Sequence, residues 1–243
     1  MLQIVIPMAG EGSRFSKAGY VTPKPFLPIN GEPMIAQVIR NLTPAFSHKF
    51  LLICKEEHET AFDLHSTVAA LGSPIEIIST PTTTRGASET VLLAEDYIAR
   101  DQPRMIANSD QLVEFSIDDY LEASQDVDGL IMTLHSADPK WSYAKTDKNG
   151  LVLEVREKEV ISTEATTGIY NFKVAKSFID SAKRQISLDQ KTMGEFYVAP
   201  IYNDLISKGK VVKTYNVEQR GGVFHGLGTP EDYEQYLKKT ALQ

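Results

Sequence analysis

The stretch from Ile4 to Arg14 constrains the fold more than any other part of the chain. Three β-branched residues, Ile4, Val5 and Ile6, run directly into a loop that carries two glycines. Such a run predicts a buried strand of an α/β sheet that ends at the sheet's carboxyl edge, where sheets of this class bind ligands. The glycines let backbone N–H groups converge on an anion. We therefore predict a polyphosphate-binding loop formed by Met8, Ala9, Gly10, Glu11, Gly12 and Ser13.

Positive charge follows this loop in two forms. Arg14 supplies a planar guanidinium, and Lys24 supplies an ammonium on a flexible stem within Thr22-Pro23-Lys24-Pro25. The prolines disfavour a helix, so we expect this segment to hold Lys24 in an extended chain. Gly-x-Gly alone is a weak signal that more often marks a simple turn, and the full phosphate loop ending in Gly-Lys-Ser/Thr is absent. The spacing of these elements is what favours a polyphosphate site.

In that order, Gly-x-Gly-x-Arg and Pro-Lys-Pro resemble the signature of the sugar nucleotidyltransferases, the nucleoside-diphosphate-sugar pyrophosphorylases. The resemblance extends over nearly the whole chain. It implies a single domain over 1–243 with a three-layer, Rossmann-like (GT-A-like) α/β fold and a central mixed, mostly parallel sheet. It also implies that about 1–115 binds a nucleoside triphosphate, with Arg14 and Lys24 on its phosphates, and that about 116–243 binds an acceptor.

Composition excludes several classes of protein. A hydrophobic share of 42% with 23% charged residues is typical of a globular domain, and no apolar run reaches the roughly 20 residues of a membrane span. The net charge of −7 argues against a nucleic-acid partner. A single cysteine, Cys54, cannot form an internal disulfide, and no signal peptide is recognisable. We expect a cytoplasmic protein without a membrane partner, and homo-oligomerisation stays open.

Apolar periodicity predicts alternating strands and helices along the chain. The predicted strands are Phe50–Cys54, Ile75–Ser79, Arg104–Ala107, Gly129–His135, Leu151–Val155, Ala165–Phe172 and Val211–Val217. The predicted helices are Met34–Leu42, His58–Leu71, Thr90–Ile98, Ala175–Ile186, Val198–Ser207 and a terminal helix with Thr229 as N-cap and Pro230 at its first position. This alternation favours a wound α/β sheet.

The polar segment Thr80–Glu89 follows a predicted strand and allows two interpretations. It is either an ordinary loop with Ser88 as the N-cap of the next helix, or part of the ligand site beside the first loop. The family resemblance implies that the nucleobase lies here, against Thr82, Gly86, Ala87 and Ser88. The glutamine or glutamate that often precedes the glycine in the family is absent, so the base is not identified.

Asp110 follows the predicted strand Arg104–Ala107 in the order Asn108-Ser109-Asp110. An aspartate after a buried strand is often a helix cap, but this one is expected at the same sheet edge as the phosphate loop. There a carboxylate can hold Mg²⁺ against phosphate oxygens. The match to the family's Asn-Asp or Gly-Asp metal motif implies the same role, so we predict Mg²⁺ as cofactor.

The second half carries the predicted acceptor residues. The hairpin that contains Tyr143 and ends in Arg156-Glu157-Lys158 resembles the family's Tyr-Gly, hairpin, Glu-Lys-Pro pattern, in which the lysine binds the acceptor phosphate. Ala144 and Glu159 replace the usual glycine and proline. Thr166-Thr167-Gly168-Ile169-Tyr170 matches the family's Thr-Gly-Ile-Tyr strand, where the glycine lets a sugar approach the backbone. The resemblance thus implies acceptor contacts from Tyr143, Glu157, Lys158, Thr167 and Gly168.

His225-Gly226-Leu227-Gly228-Thr229-Pro230 resembles the family's Asp-Ile-Gly-Thr-Pro element. Aligned on Gly-Thr-Pro, the expected second metal-binding aspartate falls on Gly226. Mg²⁺ would then be held by Asp110, phosphates and water, as magnesium tolerates. His225 is a poor Mg²⁺ ligand and is expected either to face the acceptor or to pack.

The resemblance implies one reaction, and the residues leave rivals open. A nucleoside triphosphate and a sugar 1-phosphate would give an NDP-sugar and pyrophosphate, with Arg14, Lys24 and Lys158 as catalytic residues, for cell-surface polysaccharide or glycoconjugate precursors. The changes at Ala144, Glu159 and Gly226 also suit a CTP-dependent enzyme acting on a phospho-alcohol, polyol or amino-alcohol. The missing carboxylate also suits a non-catalytic sugar-nucleotide-binding regulator.

Overall fold

A computed structural model of the protein describes residues 1–241. Its strands are Leu2–Pro7 (β1), Pro28–Ile29 (β2), Glu32–Pro33 (β3), His48–Lys55 (β4), Ile75–Thr80 (β5), Arg104–Ala107 (β6), Gln111–Glu114 (β7), Gly129–His135 (β8), Ser142–Thr146 (β9), Val152–Glu157 (β10), Glu164–Phe172 (β11), Val212–Asn216 (β12) and Val223–Gly226 (β13). Its α-helices are Ser13–Lys17 (α1), Met34–Leu42 (α2), Glu56–Ala61 (α3), Leu64–Ala69 (α4), Ala87–Leu92 (α5), Ile117–Ala123 (α6), Ala175–Ser187 (α7), Tyr202–Ser207 (α8) and Pro230–Thr240 (α9).

A nine-stranded mixed sheet forms the centre of the molecule. β6, β1, β4 and β5 are neighbours and run parallel. β11 pairs antiparallel with β8 along one edge and, along the other, with β6 and at Ala165 with β9, while β12 runs parallel to β8 and β10 runs antiparallel to β9. Thus β10 and β11 run against the direction of the other seven strands. The predicted α/β fold with a mixed, mostly parallel sheet is confirmed.

The sheet is buried on both faces because helices cover each side. Along β1, Ile4 and Ile6 pack into one apolar core with residues of α2, α4 and α6, whereas Val5 packs into a second core with residues of α5, α7 and α8. Successive side chains of a strand point to opposite faces, so one strand serves both cores. This arrangement is the predicted three-layer architecture, and it explains why Ile4, Val5 and Ile6 of β1 form a continuous apolar run.

Several predicted helices are shorter or broken in the structure. The predicted helix His58–Leu71 is two helices, α3 and α4, because Asp63 between them adopts a left-handed conformation with φ 43° and caps α4 by accepting from Ser66 N. Of the two interpretations of Thr80–Glu89, the one with Ser88 as N-cap is wrong, since α5 begins at Ala87 after Gly86. Short 3₁₀ helices occupy Glu95–Tyr97 and Ala199–Ile201, where longer α-helices were predicted. The predicted cap at Thr229 is confirmed by its bond from Asp232 N.

Helix α9 packs on its own domain through Tyr233, which is buried and donates its hydroxyl hydrogen to Pro28 O. The last two residues of the predicted domain, 242–243, lie outside the described residues. Over residues 1–241, every helix is too short or too polar to cross a bilayer.

Candidate active site

Two adjoining cavities lie at the carboxyl edge of the parallel strands. The signature cavity, of about 240 Å³, is lined by the first loop and by the segment around Lys24; its lining includes Met8, Gly10, Glu11, Gly12, Lys24 and Ser109. The central cavity, of about 170 Å³, is lined by residues of both halves of the chain, including Arg14, Asp110, Glu157, Lys158, Thr167 and Gly168. Residues predicted to bind the nucleotide and residues predicted to bind the acceptor therefore lie in one region of the molecule.

The first loop is shaped by its backbone rather than by side-chain packing. Gly12 has φ 62° and caps α1, in which Phe15 is the buried anchor. Gly10 through Arg14 are exposed, and a Cβ added at Gly10 or Gly12 would meet no atom within 4 Å. The loop thus presents open backbone towards solvent, and Arg14 extends from it to the wall of the central cavity.

Lys24 and Asp110 form an ion pair at the boundary between the cavities. Lys24 Nζ lies 2.6 Å from Asp110 Oδ2, and both side chains are largely buried, with 23% and 16% exposed. Lys24 begins a 3₁₀ helix, Lys24–Phe26, so the predicted extended conformation is wrong at this residue, although Pro23 before it is extended. Asp110 is held by its main chain, whose carbonyl accepts from Leu227 N.

Lys158 lies opposite, at the end of β10. Its backbone has φ 56°, in the left-handed region that residues other than glycine, asparagine and aspartate rarely adopt. The backbone N–H donates to Trp141 O, and Nζ donates to the Tyr197 hydroxyl over 2.7 Å. The ammonium therefore points into the central cavity from a fixed backbone position.

Glu157, one residue earlier, contributes a carboxylate to the same wall. It accepts a hydrogen bond from Ser142 Oγ. Burial raises the pKa of Glu157 above its ordinary value, and this effect outweighs the Ser142 hydrogen bond and the nearby charge of Lys158. A partly dehydrated carboxylate of this kind is a strong acceptor for hydroxyl hydrogens of a ligand.

The floor of the central cavity is made of buried neutral groups around Gly168. Gly168 has φ 87°, and a Cβ there would lie 2.3 Å from Asn108 Nδ2. Its carbonyl accepts from Asn108 N and from Gln111 Nε2. Thr167 is buried and donates its hydroxyl hydrogen to Met132 O. This close approach of Asn108 and the positive φ require glycine at position 168, and the predicted acceptor contact at Gly168 stays a prediction.

Gly226, where the second metal carboxylate was expected, also lines the central cavity. A Cβ at this position would lie 3.1 Å from the Trp141 ring, so Trp141 takes much of the space that a larger side chain would need. Residues 1–241 contain no group of three or more His, Cys, Asp or Glu side chains that could hold a metal. Of the two positions where the family resemblance implies metal-binding carboxylates, only Asp110 carries one, which fits Mg²⁺ bound mainly by phosphate oxygens and water.

The pattern of one protein family, described as Nucleotidyl transferase, matches residues 4–241 of this sequence. The chain belongs to the nucleotidyl transferase family. The predicted family membership, and with it the expectation of a nucleotidyltransferase, is confirmed at this level.

The chain is also similar to individual proteins. The nucleoside-diphosphate-sugar pyrophosphorylase of Vibrio cholerae RC9 is 28% identical, with a TM-score of 0.82 over 97% of this chain and 99% of that one. A putative glucose-1-phosphate thymidylyltransferase from Bacillus anthracis, 23% identical, shares the fold with a TM-score of 0.79 over 98% and 94% of the two chains. The bifunctional protein GlmU of Methanocaldococcus jannaschii is 24% identical over 95% of this chain, which spans about half of that relative (52%).

Some predicted residues lie outside both cavities. Tyr143 is fully buried and donates to Asp138 O, and His225 pairs with Glu114 in a separate groove. Each has a neighbour that lines the central cavity, Ser142 and Gly226 respectively, because side chains alternate along a strand. Ser88 is fully buried inside α5, which removes it from direct contact with a ligand.

Among the other residues predicted to bind the nucleotide, some line a cavity and others do not. Ala87 lines the central cavity, whereas Ala9 is fully buried beneath the loop. Ser13 and Thr82 are exposed and do not line either cavity, and Gly86 packs against Phe196. Of the predicted base-contacting residues Thr82, Gly86, Ala87 and Ser88, the structure places one at a cavity wall.

The structure also places residues in the central cavity that sequence reasoning missed, chiefly Trp141, Ser142 and Tyr197, with Lys140 and Asp232 also in its lining. Lys140 Nζ lies 3.1 Å from Asp232 Oδ1. Trp141 is the single tryptophan of the chain, and this rarity was the one feature of the sequence that could have marked it as a site residue. Tyr197 carried no local signal, since its partner Lys158 lies far away in sequence.

Proposed function

We propose that this member of the nucleotidyl transferase family transfers the nucleotidyl group of a nucleoside triphosphate to a sugar 1-phosphate, releasing pyrophosphate and forming an NDP-sugar. The observation that carries the proposal is the convergence of three cations, Arg14, Lys24 and Lys158, on cavities that meet at Asp110. Two come from the donor-side loops and one from the acceptor-side hairpin. Two phosphorylated ligands that meet between them would both be neutralised.

In the proposed reaction, an oxygen of the acceptor phosphate attacks the α-phosphorus of the triphosphate. The new P–O bond forms as the bond between the α-phosphorus and the bridging oxygen breaks, and the electron pair leaves with pyrophosphate. The acceptor oxygen is already ionised near neutral pH, so no side chain has to remove a proton. The protein's part is positioning and charge neutralisation.

Each cation has an assigned part. Arg14 and Lys24 bind the triphosphate, and Lys158 binds the acceptor phosphate. Asp110 would hold Mg²⁺, which when bound supplies further positive charge to the triphosphate. Neutral hydroxyl and amide groups around Gly168 suit the hydroxyls of a sugar ring. The product class would serve as donor for cell-surface polysaccharide or glycoconjugate assembly.

The test is pyrophosphate release with Mg²⁺, each of the four nucleoside triphosphates, and a panel of sugar 1-phosphates and phospho-alcohols. We expect release that depends on one triphosphate and on a sugar 1-phosphate. Release only with CTP and a phosphorylated alcohol, polyol or amino-alcohol would replace the proposed acceptor. No pyrophosphate release with any combination in the panel, together with tight binding of a finished NDP-sugar, would show a regulatory binding protein instead.

A further inference from the structure

The Lys158 ammonium is held by an aromatic side chain from a distant segment. Nζ lies 4.8 Å from the centroid of the Tyr197 ring and donates to its hydroxyl over 2.7 Å. These two distances place the ammonium beyond the hydroxyl edge of the ring, so the hydrogen bond to the hydroxyl is the contact that holds it. The lysine stem is otherwise flexible, so this contact decides where in the cavity the ammonium lies.

Tyr197 is in turn anchored through its own backbone. Its carbonyl oxygen accepts from Ser88 Oγ over 2.8 Å and from Gln185 Nε2 over 3.0 Å. Ser88 is 0% exposed and Gln185 is 5% exposed, so both donors are fixed by the core. Tyr197 is therefore a rigid support, although it lies outside regular secondary structure.

The preceding residue, Phe196, is locked against the donor-side loop. Phe196 N donates to Arg85 O, and Phe196 O accepts from Ser88 N. Gly86 lies against this pair with φ 134°, and a Cβ there would come within 2.5 Å of Phe196 N and Phe196 O. The loop predicted for the nucleobase therefore packs directly on the segment that supports the acceptor-side lysine.

We propose that Tyr197 is a positioning residue that holds the Lys158 ammonium at the acceptor-phosphate end of the central cavity. This inference rests on the proposed function. The hydroxyl occupies one of the three N–H donors of Lys158 and leaves two for phosphate oxygens. Because a neutral hydroxyl accepts without cancelling the charge, Lys158 keeps its full positive charge for the ligand. This differs from Lys24, which is paired with a carboxylate.

The protonation of Tyr197 agrees with this role. Burial, reinforced by the nearby charges of Glu195 and Glu157, raises the pKa of the Tyr197 hydroxyl well above its ordinary value. The side chain thus stays a neutral phenol over the pH range in which the protein would work.

The kinetic test uses Tyr197→Phe, which keeps the ring and removes the hydroxyl. With the acceptor turned over in the pyrophosphate assay, we expect its KM to rise roughly tenfold, while the KM for the triphosphate stays unchanged. Tyr120→Phe is the matched control, since it removes a buried hydroxyl that donates to Leu130 O, away from Lys158. Its two KM values should equal those of the wild type.

A double-mutant cycle separates positioning from general damage. In a Lys158→Met background, adding Tyr197→Phe should change the acceptor KM very little, because the group that Tyr197 positions is gone. Wild-type kinetics in Tyr197→Phe, equal increases in both KM values, or full additivity with Lys158→Met would each overturn the proposal.

A spectroscopic test does not depend on activity. Reductive methylation with ¹³C labels lysine amines and keeps their charge, and the Lys158 signal is assigned by its loss in Lys158→Arg. We expect a Lys158 signal displaced from the position of exposed lysines, and moved to that position in Tyr197→Phe as in Tyr197→Leu, because both variants lose the hydroxyl that holds the ammonium. A Lys158 signal at the position of an exposed lysine would overturn the placement. The shifted signal in a protein that is inactive with the whole panel would contradict the proposed function alone.

Discussion

The donor and acceptor sides of the site are built by different means. On the donor side, Gly10 through Arg14 are exposed and the glycines have free space around them. On the acceptor side, Thr166 and Thr167 are 3% and 1% exposed, and Gly168 lies against Asn108 and Gln111. The donor loop can therefore adjust around a ligand, whereas the acceptor floor is rigid before any ligand arrives. This difference predicts that donor-side changes impair activity without affecting stability and that acceptor-side changes affect both.

The largest effect on turnover is expected from Lys24→Ala on the donor side. Loss of a charge that faces developing negative charge lowers rates by about 10² to 10³. The fold should stay intact, as checked by circular dichroism, while pyrophosphate release is measured. Lys17→Ala, which removes an exposed lysine of α1, is the control. Near-normal turnover in Lys24→Ala would contradict the assignment.

A smaller loss is expected from Asp110→Asn, at the boundary of the two sides. Removing a charged ligand weakens the hold on Mg²⁺, so the Mg²⁺ concentration for half-maximal activity should rise about tenfold. Chelation should abolish activity in the wild type, and added Mg²⁺ should restore it. Asp126→Asn, in an exposed position, should leave the Mg²⁺ titration unchanged. The same titration in both variants would remove Asp110 from the metal site.

Two glycine substitutions test the comparison directly through stability. Gly168→Ala forces a Cβ to 2.3 Å from Asn108 Nδ2 at φ 87°, so the free energy of unfolding should fall by about 1–3 kcal/mol or more. Gly10→Ala meets no atom within 4 Å and should change stability by less than about 0.5 kcal/mol. Urea unfolding measures both. Equal losses in the two variants would show that the two sides do not differ in rigidity.

The smallest effect is a pH dependence from Glu157. Because its pKa is raised in the folded state, the fold binds its proton more tightly than the unfolded chain does. Its presence therefore lowers the free energy of unfolding as the pH rises from its ordinary value of 4.5 through its folded pKa. Glu157→Gln should melt slightly higher than the wild type above this window and equally below it. Glu159→Gln, at an exposed neighbour, is the control, and a pH-independent difference for Glu157→Gln would contradict the interpretation.

Local patterns predicted the sheet well and the helical turns less well. Arg104–Ala107 and Gly129–His135 match the observed strands residue for residue, because most of their residues are apolar and buried. The prediction of one continuous helix across Asp63 was wrong because Asp63 leaves helical geometry and its side chain caps the next helix, α4. The extended conformation predicted for Lys24 was also wrong, since a 3₁₀ turn is compatible with prolines on both sides of the lysine.

Residue types were predicted better than residue orientations at the site. Arg14, Asp110, Lys158 and Gly168, which the resemblance assigned to the triphosphate, the metal and the acceptor, line one cavity, and their roles stay predictions. It chose Tyr143 and His225, whose side chains point away from that cavity, because the register that decides which face a strand residue occupies depends on its partners. Tyr197 depends on a contact across 39 residues of sequence, which no local pattern encodes.

The pairing of β6 with both β1 and β11 has a consequence for recombining family members. This short strand joins the parallel strands of the donor half to the mixed strands of the acceptor half, in a register that pairs Met105 with Asn171. A chimaera that exchanges the acceptor half would inherit that register from a strand it does not replace. It would also have to keep the fit between Gly86 and Phe196, so the acceptor half can be exchanged only when both contacts across the junction are preserved.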